Sequence, residues 1–445
     1  MYFAGIDIGT SSVCGVVYNK ETKELYSVTR ENDAAAQSPR EWEMAQQPER
    51  IVVVVTDVLN ELLVKYPDVK GIGITGQMHG MLYVDAAGKA VSLLYTWQDG
   101  RGNLAFEGEK TYVEYLSEVS GCQLASGYGL VTHFYNRANG LVPANAAKLC
   151  TIMDYAAMCL SARAAPLTDY SNGASLGFFD KEKLCFDARA LEAAGIDAAI
   201  LPEVAASGTL TGYYNNIPVY SAIGDNQAAF LGSVGNKEKS VHVTVGTSSQ
   251  LSVYSKDYLT VEGLDTRPFP GGGYLLVGAA LCGGLSFRIL KTFFEDTLKF
   301  FGYEGTADGA NLYDVMTSVG FAGEVESRPA VATLFGGSRA NPAERGAITN
   351  LSLTNFTPQN LVLGFVGGVV NELYGFYEQI PQAIRSEKSL LVGSGNGIRK
   401  NGLLGKAFER KFGYTLAVSQ CEEEAALGAA LCATIDCAMN PPINQ

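Results

Sequence analysis

Short apolar runs that end in glycine alternate with longer helical patterns along this chain. Residues 2–8 and 13–18 are rich in β-branched and aromatic side chains, which predicts a strand and its hairpin partner. Residues 48–64 carry apolar side chains at helical spacing, with Pro48 near the first turn, and residues 69–74 form another apolar run. Strands that alternate with helices in this order predict the α/β class.

The same pattern begins again near the middle of the chain. Residues 219–226 predict a strand, a glycine turn and the start of a helix. A chain of 445 residues is long for one hydrophobic core, so two domains are expected. We place the boundary near residue 220, which gives domains of residues 1–220 and 221–445.

Other segments are assigned from their local pattern alone. Residues 356–388, and a stretch of small residues from about Glu422, are typical of helices. Residues 390–395 predict a strand that enters a glycine-rich turn. We expect residues 141–160 to be mostly helical and residues 164–180 to form a loop.

The tetrapeptide Gly-Thr-Ser-Ser occurs twice, each time directly after an apolar run. The copies are Gly9, Thr10, Ser11 and Ser12, and Gly246, Thr247, Ser248 and Ser249. A tight glycine turn followed by hydroxyls and free backbone N–H groups is suited to bind phosphate oxygens. Two residues before the glycine, the first copy has Asp7 and the second has Thr244. The repeat therefore predicts a phosphate loop in each half of a duplicated fold, one of them with a carboxylate suited to a metal ion.

Composition narrows the classes of function. The net charge is −13 and no run of Lys or Arg occurs, which argues against a nucleic-acid or membrane surface. Nine Cys without a Cys-x-x-Cys pair predict reduced thiols in a cytoplasmic protein, and only three His argue against a His/Cys metal site. No signal peptide and no apolar stretch of membrane-spanning length is apparent, so we expect no membrane partner.

Two aspartates lie where predicted strands end. A buried aspartate such as Asp7 is costly unless it is paired or bound to a cation, which predicts a carboxylate associated with Mg²⁺. The alternative is an aspartate that caps its own turn. Asp225 follows Gly224 at the carboxyl end of a strand, where ligands bind in α/β proteins, and could accept a proton from a substrate hydroxyl. A helix N-cap is the equally weighted alternative.

The segment that follows the run at residues 69–74 is unusually polar for a core. It places Gln77, Met78 and His79 between two glycines. Amide and imidazole groups together can hydrogen-bond several sugar hydroxyls. The alternative is a histidine with a structural role.

A second polar segment, residues 95–101, contains one of the two Trp residues. Trp97 stands close to Asp99 and Arg101. An aromatic plane beside a carboxylate suits a carbohydrate, whereas a core Trp beside a surface ion pair is the alternative.

Gly393, Gly395 and Asn396 form a glycine-rich turn after the predicted strand at residues 390–395. Such a turn allows backbone to approach a flat ligand such as adenine. Neither a P-loop motif nor a Gly-x-Ser-x-Gly nucleophile elbow is evident.

In their order and separation, these motifs resemble the FGGY family of carbohydrate kinases, within the actin/hexokinase-like ATPase superfamily. The resemblance runs nearly end to end. The segments that carry it are Asp7-Ile-Gly-Thr10, Gly224-Asp225-Asn226, Gly246-Thr-Ser-Ser249, Leu334-Phe-Gly-Gly-Ser-Arg339 with Pro342 and Arg345-Gly346, Gly393-Ser-Gly-Asn396 and Glu424-Ala-Ala-Leu-Gly-Ala-Ala430. Within the family, the loop at residues 76–80 is similar to those of both xylulokinases and sedoheptulokinases. The loops at residues 96–101 and 126–133 are most similar to those of sedoheptulokinases, which predicts D-sedoheptulose as substrate and xylulose as the alternative.

The resemblance implies an α/β fold of two duplicated RNase H-like domains with an interdomain cleft that binds ATP and Mg²⁺. The residues that it assigns to ATP are Gly9, Thr10, Ser11, Ser12, Gly246, Thr247, Ser248, Gly393, Gly395 and Asn396. It implies that Asp7 and Asp225 associate with the metal ion and that Asp225 is the general base. The residues implied to contact the sugar are Gln77, Met78, His79, Trp97, Asp99, Tyr128 and Asp225. A homodimer is plausible from the family. The chain could instead be an actin-like ATP-binding protein or a sugar-sensing pseudokinase.

Overall fold

The computed structural model describes residues 1–303, 311–320, 328–338, 341 and 343–435. By their contacts, the described residues divide into two compact units. Unit 1 contains Met1–Gly232, Arg267–Gly273 and the residues from Glu423 onward, and unit 2 contains Ser233–Thr266 and Tyr274–Glu422. The chain therefore passes between the units more than once. The division at residue 220 into functional domains stays a prediction.

The elements of the described chain are numbered in chain order. The strands are β1 (Tyr2–Ile8), β2 (Ser12–Asn19), β3 (Leu25–Glu31), β4 (Ala35–Ala36), β5 (Ala45–Gln46), β6 (Val69–Gly76), β7 (Leu82–Val84), β8 (Leu94–Tyr95), β9 (Ala105–Glu107), β10 (Lys110–Thr111), β11 (Lys148–Cys150), β12 (Leu167–Asp169), β13 (Phe179–Asp180), β14 (Cys185–Phe186), β15 (Glu203–Ala205), β16 (Leu210–Tyr214), β17 (Ile217–Tyr220), β18 (Ile223–Gly224), β19 (Ser240–Val245), β20 (Ser249–Ser255), β21 (Asp265–Pro268), β22 (Tyr274–Ala280), β23 (Ala330–Ala332), β24 (Ala347–Thr349), β25 (Leu390–Ser394) and β26 (Leu416–Val418). The helices are α1 (Pro48–Lys65), α2 (Tyr112–Ser120), α3 (Gly129–Ala138), α4 (Ile152–Leu160), α5 (Tyr170–Leu176), α6 (Ala188–Ala193), α7 (Asp225–Ser233), α8 (Gly284–Phe300), α9 (Leu312–Thr317), α10 (Pro358–Gln379), α11 (Gln382–Arg385), α12 (Asn396–Arg399), α13 (Gly402–Phe412) and α14 (Glu424–Cys432).

The central sheet of unit 1 has the order β16-β17-β6-β1-β2-β3, with β18 also paired to β6. Strands β1, β2 and β3 are antiparallel neighbours, whereas β6 runs parallel to β1, and β17 and β18 run parallel to β6. Helix α1 packs its apolar face on this sheet and contributes residues such as Ile51, Val55 and Leu59 to the core. The carboxyl ends of β1, β6 and β18 therefore lie at one edge of the sheet.

The sheet of unit 2 repeats this arrangement in the order β21-β22-β20-β19-β25-β26. Strands β19, β20 and β22 are antiparallel neighbours, and β25 and β26 continue parallel to β19. Three antiparallel strands followed by parallel ones thus occur once in each unit. The duplication that the repeated tetrapeptide predicts is present in the topology.

Helix α14 covers the face of the unit 1 sheet opposite α1, in direct contact with backbone. A Cβ atom at Gly5 would lie 2.0 Å from the carbonyl oxygen of Ala426, and one at Gly73 would lie 1.9 Å from that of Ala429. Both strands therefore need glycine where the helix crosses them. The last described helix completes the first unit.

Two predicted segments differ from the structure. Residues 141–160 contain a loop, β11 and only then helix α4, which begins after the capping residue Thr151. Residues 164–180 form β12 and α5 as well as loop, because Asp169 caps the helix through the backbone N–H of Asn172. The other predicted strands and helices are confirmed to within a few residues at their ends.

One of the family-like motifs is described only in part. Arg339 and Pro342, which belong to one of the family-like motifs, lie outside the described residues. In the described part of the chain, no helix combines the length and apolar character that crossing a bilayer requires.

Candidate functional site

The first tetrapeptide forms the connection between β1 and β2. The N–H of Gly9 donates to the carbonyl oxygen of Ser12 at 2.9 Å, and the Asn32 side chain donates to the carbonyl oxygen of Gly9 at 2.8 Å. Among the described residues, no acceptor is bonded to the backbone N–H groups of Thr10 and Ser11. The loop is thus held by its carbonyl groups and presents donors suited to an anion.

The second tetrapeptide connects β19 to β20 and is held from a different direction. The N–H groups of Gly283 and Gly284 donate to the carbonyl oxygens of Thr247 and Gly246 at 2.9 and 2.8 Å. A Cβ atom at Gly283 would lie 2.4 Å from the carbonyl oxygen of Ser248. Helix α8 therefore begins directly at this loop, and a helix N-terminus favours negative charge.

The two copies of Gly-Thr-Ser-Ser form loops of different length. In the first hairpin Ile8 pairs with Val13, whereas in the second Val245 pairs with Ser249. Four residues separate the first pair and three separate the second. The shorter loop accounts for the bond from the N–H of Gly246 to the carbonyl oxygen of Ser248, at 2.9 Å.

The predicted adenosine residues lie next to the second loop, because β25 pairs with β19. Gly395 has φ +82°, and a Cβ atom there would lie 2.5 Å from the carbonyl oxygen of Val245. Asn396 begins helix α12 and is exposed. Below the loop, His242 Nε2 lies 2.9 Å from Ser394 Oγ, and burial lowers the pKa of His242 to about 4. The imidazole is therefore neutral at physiological pH.

Asp7 is the penultimate residue of β1 and lies between Cys14 of β2 and Thr75 of β6. Burial and the negative charges of Asp225 and Glu423 raise its pKa to about 7. The pKa of the Asp7 carboxyl is thus close to neutral pH, and a nearby cation would favour its charged form.

Asp225 is the first residue of α7, directly after β18. Burial raises its pKa to about 6, although the positive charge of Arg267 and a hydrogen bond from the N–H of Asn226 act in the other direction. Because β18 and β1 both pair with β6, Asp225 and Asp7 lie at the same edge of the sheet. The structure brings these two predicted residues together.

The donor set at this edge determines whether Mg²⁺ fits. Among the described residues, no group of three or more His, Cys, Asp and Glu side chains could hold a metal ion alone. Mg²⁺ usually takes one or two protein carboxylates and completes its shell with water and phosphate oxygens. Asp7 and Asp225, each with a raised pKa, fit a cation bound in that way.

Gln77 joins the predicted sugar loop to the first phosphate loop. The Thr10 hydroxyl lies 3.3 Å from Gln77 Oε1, and the Gln77 amide donates to Gln46 Oε1 at 2.8 Å. The Gln46 amide in turn donates to the carbonyl oxygen of Thr10 at 2.8 Å. The three residues thus form a closed ring of hydrogen bonds, which passes through both the hydroxyl and the backbone carbonyl group of Thr10. Met78, by contrast, is buried beneath Gly224.

His79 is held in a fixed orientation. Its φ is +75°, in the left-handed region, and its Nδ1 lies 2.9 Å from the carbonyl oxygen of Ser175. Because a carbonyl oxygen can only accept, Nδ1 carries a proton. The ring stacks on Tyr128 with centroids 4.6 Å apart and an interplanar angle of 4°. His79 and Tyr128 thus form a stacked pair of rings.

Trp97 and Asp99 differ in their surroundings. Trp97 is 48% exposed, and its Nε1 donates to Thr10 Oγ1 at 3.1 Å. Asp99 is 1% exposed and accepts from Arg101 Nε and Nη2 at 2.7 and 3.1 Å and from the N–H of Met44 at 3.2 Å. The alternative of a core Trp beside a surface ion pair is therefore reversed: the Trp is exposed and the ion pair is buried. Asp99 lies inside the protein, where it holds the Trp97 loop.

Several residues around the site were missed by sequence reasoning. They are Asn32, Gln46, Thr75, Ser171, Arg267, Gly283, Gly284 and Glu423, and each contacts or electrostatically influences a predicted residue. Only the pair Gly283-Gly284 carries a local signal, a glycine doublet after a strand. The others are brought in by the fold.

Comparison with known proteins identifies a family that the chain matches. The sequence profile for the N-terminal domain of the FGGY family of carbohydrate kinases matches residues 2–232. The chain is 27% identical to the sedoheptulokinase of Mus musculus and 25% identical to that of Homo sapiens, across 96% of this chain and of each relative. It is also 27% identical to the xylulose kinase of Lactococcus lactis, across 67% of this chain and 63% of that protein.

Solved structures share the fold. The xylulose kinase from Rhodospirillum rubrum superposes with a TM-score of 0.82 at 19% identity, covering 97% of this chain and 89% of that one. The gluconate kinase from Lactobacillus acidophilus superposes with a TM-score of 0.80 at 17% identity, covering 97% and 88%. Together with the sheet order repeated in each unit, these similarities confirm the predicted α/β fold class.

Proposed function

The chain belongs to the FGGY family of carbohydrate kinases, and on that premise we propose that it transfers the γ-phosphoryl group of ATP to the terminal hydroxyl of a ketose. D-sedoheptulose is the proposed substrate and sedoheptulose 7-phosphate the product. Similarity to two sedoheptulokinases across 96% of the chain supports this sugar.

The observation that carries the proposal is the pair Asp7 and Asp225 at one sheet edge, beside a loop with unbonded N–H groups. Phosphoryl transfer depends on positioning and on neutralising charge more than on covalent chemistry from the protein. With a pKa of about 6, Asp225 is mostly ionised at neutral pH and remains a usable base. It takes the proton of the sugar hydroxyl, the oxygen bonds to the γ-phosphorus, and ADP leaves.

The nucleotide is assigned to the loops and glycine turns described above. The N–H groups of Thr10, Ser11, Thr247 and Ser248 are proposed to donate to phosphate oxygens, and the turn at Gly393, Gly395 and Asn396 to receive adenosine. Asp7 and Asp225 are proposed to hold Mg²⁺, in part through water. When bound, the ion supplies positive charge that offsets the charge of the phosphates.

The sugar is assigned to the stacked pair His79 and Tyr128, with Gln77 and Trp97 beside the first phosphate loop. An imidazole held in this orientation suits hydrogen bonds to sugar hydroxyl groups. Asp99 is not proposed as a contact, because its oxygens are bonded to Arg101 and Met44. We further propose a cytoplasmic enzyme, without a nucleic-acid or membrane partner, and a homodimer as its assembly.

A xylulose kinase is the second candidate. It is favoured by the similarity to the Lactococcus lactis xylulose kinase across 67% of this chain. An ATPase without a sugar substrate is less well supported, since both Asp7 and Asp225 are present with a polar loop next to them.

The test is release of ADP from MgATP with sedoheptulose, xylulose, gluconate and glycerol as acceptors. We expect the highest kcat/KM with sedoheptulose. Asp225→Asn should lower kcat by about 10²- to 10⁴-fold, the usual contribution of a general base, and leave the Kd for ADP within about twofold. Asp68→Asn, which changes an exposed carboxylate of the same unit, is the matched control and should behave as wild type.

Each outcome bears on a separate claim. Preference for xylulose would reassign the sugar, and ADP release that no sugar accelerates would contradict a sugar kinase. Near-normal turnover by Asp225→Asn would remove Asp225 as the base.

A further inference from the structure

Helix α5 and its cap connect two parts of the candidate site, although the proposed function assigns them no role. The helix is short, spans Tyr170–Leu176 and follows β12 directly. Its N-cap, Asp169, is fully buried, as are Ser171 and Asn172 in the first turn. Buried polar residues need hydrogen-bond partners, and Ser171 and Asn172 find partners in residues 222–224, which directly precede Asp225 and are called the catalytic loop below.

Asp169 fixes the orientation of the first turn. Its carboxylate accepts from Ser171 Oγ at 2.7 Å, from the N–H of Asn172 at 2.8 Å and from Ser207 Oγ at 2.6 Å. Because the Ser171 hydroxyl proton is directed to Asp169, its oxygen is left as an acceptor. It accepts from the N–H of Gly224 at 2.8 Å.

The segment before Asp225 is bound by side chains at each residue. Asn172 donates to the carbonyl oxygen of Ala222 at 3.0 Å, and Thr75 donates to that of Ile223 at 2.8 Å. A Cβ atom at Gly224 would lie 2.6 Å from Gln227 Oε1, so this position has no space for a side chain. Ser171 supplies the bond nearest to the proposed base.

The other end of α5 holds His79, which is proposed to bind the sugar. Ser175 Oγ accepts from the N–H of His79 at 3.3 Å, and the Ser175 carbonyl oxygen binds His79 Nδ1 at 2.9 Å. One helix of seven residues therefore contacts both the residue before the base and the imidazole that is proposed to bind the sugar.

We propose that Ser171, oriented by Asp169, is a positioning residue for Asp225, and that α5 sets the separation between this base and His79. The inference rests on the proposed function. Loss of the Ser171 oxygen would leave the buried N–H of Gly224 without an acceptor, which the loop would relieve by moving. A small displacement of a catalytic group can reduce turnover strongly while binding is retained.

The test compares Ser171→Ala with Ser207→Ala. Both variants remove a hydroxyl that donates to Asp169, but only Ser171 contacts the catalytic loop. We expect Ser171→Ala to lower kcat by about 10- to 100-fold with the KM values for ATP and sugar within about twofold. Ser207→Ala should keep kcat within about twofold of wild type. Melting temperatures and ADP binding are measured for both.

The difference in kcat between Ser171→Ala and Ser207→Ala tests the positioning role of Ser171. Wild-type kcat in Ser171→Ala, or equal losses in both variants, would overturn the inference. An active Asp225→Asn would instead overturn the proposed base, so the two failures are distinguishable. If Ser171→Ala does not fold, Ser171→Cys, which keeps a side-chain atom but is a weak acceptor, carries the same expectation.

Discussion

Asp7 illustrates how a functional side chain lowers the stability of the protein that carries it. Its pKa is about 7 in the folded state against an ordinary value of 3.8, with burial as the main cause. When folding raises the pKa of a carboxyl group, the ionised form is less stable in the folded protein than in the unfolded chain. Stability relative to the unfolded chain is therefore lost as the pH rises from about 4 to about 7.

Asp7→Asn should accordingly stabilise the protein in the absence of nucleotide and metal. We expect the free energy of unfolding at pH 8 to rise by about 2 kcal/mol, with a smaller gain at pH 5, where the unfavourable ionisation is incomplete. Urea denaturation at the two pH values measures this. At the same time the kinase activity should fall at every Mg²⁺ concentration.

The control is Asp33→Asn. Asp33 is exposed, and its bond to Arg50 lowers its pKa, so its removal should not stabilise the protein at pH 8. A lower stability of Asp7→Asn than of wild type at pH 8 would contradict this account of Asp7.

Single residues were predictable where the local sequence states their role. Asp7 and Asp225 were predicted because each lies near the end of an apolar run. The structure places both at one edge of the sheet, and their roles stay predictions. Asp99 was predicted to contact a sugar, but the structure buries it against Arg101, which also lies 3.9 Å from the centre of the Tyr95 ring. Nothing in the order of residues 95–101 distinguishes a buried ion pair from an exposed one, because the partners that bury it come from elsewhere in the chain.

Among loops and helices, the two tetrapeptides show that identical sequence does not impose identical hairpins. The first loop is secured by the Asn32 side chain and the second by the backbone at the start of α8. The neighbouring elements therefore decide the loop length. This part of the geometry could not be read from the repeat itself.

Gly283→Ala tests the contact between α8 and the second loop. The added Cβ atom would lie 2.4 Å from the carbonyl oxygen of Ser248, and backbone must move to accommodate it. We expect the KM for ATP to rise by about tenfold and the KM for the sugar to stay within about twofold, since a displacement of about 1 Å is costly where alignment matters. Steady-state kinetics with each substrate varied in turn measure the two values.

Gly367→Ala is the matched control for this glycine. It lies in helix α10 of the same unit with nothing within 4 Å of a Cβ atom, so the change should be neutral or slightly stabilising. Unchanged ATP kinetics in Gly283→Ala would show that the second loop is not sensitive to this contact.

Helices with a clear apolar period were predicted well, and short polar ones were not. The pattern at residues 48–64 identified α1, and residues 356–388 contain α10 and α11. Helix α5 was expected to be loop, because Ser, Asn and Gly have low helix propensity. It forms because Asp169 caps its first turn and the catalytic loop bonds to the Ser171 oxygen and the Asn172 amide nitrogen.

At the scale of the whole molecule, the repeated tetrapeptide predicted a duplicated fold, and the sequence suggested one domain boundary. The order of strands confirms the duplication. The return of α14 to unit 1 was not predictable from local pattern, because a helix of small residues can pack on many surfaces. Its place is set by Gly5 and Gly73, which lie hundreds of residues earlier in the chain.

This return has a consequence for biosynthesis. A nascent chain that has emerged as far as Gly232 has the strands of the first sheet but not the helix that covers one face of it. Because α14 begins at Glu424, that face stays open until residues 424–432 have been translated. A chain ended after residue 422 should therefore lack a cooperative unfolding transition for the first unit, and a peptide of residues 423–435 added in trans should restore it. Cooperative melting of the shortened chain at the wild-type temperature would refute this. During synthesis of the second unit the first sheet therefore exposes an apolar face, and transiently exposed surface of this kind is prone to aggregation.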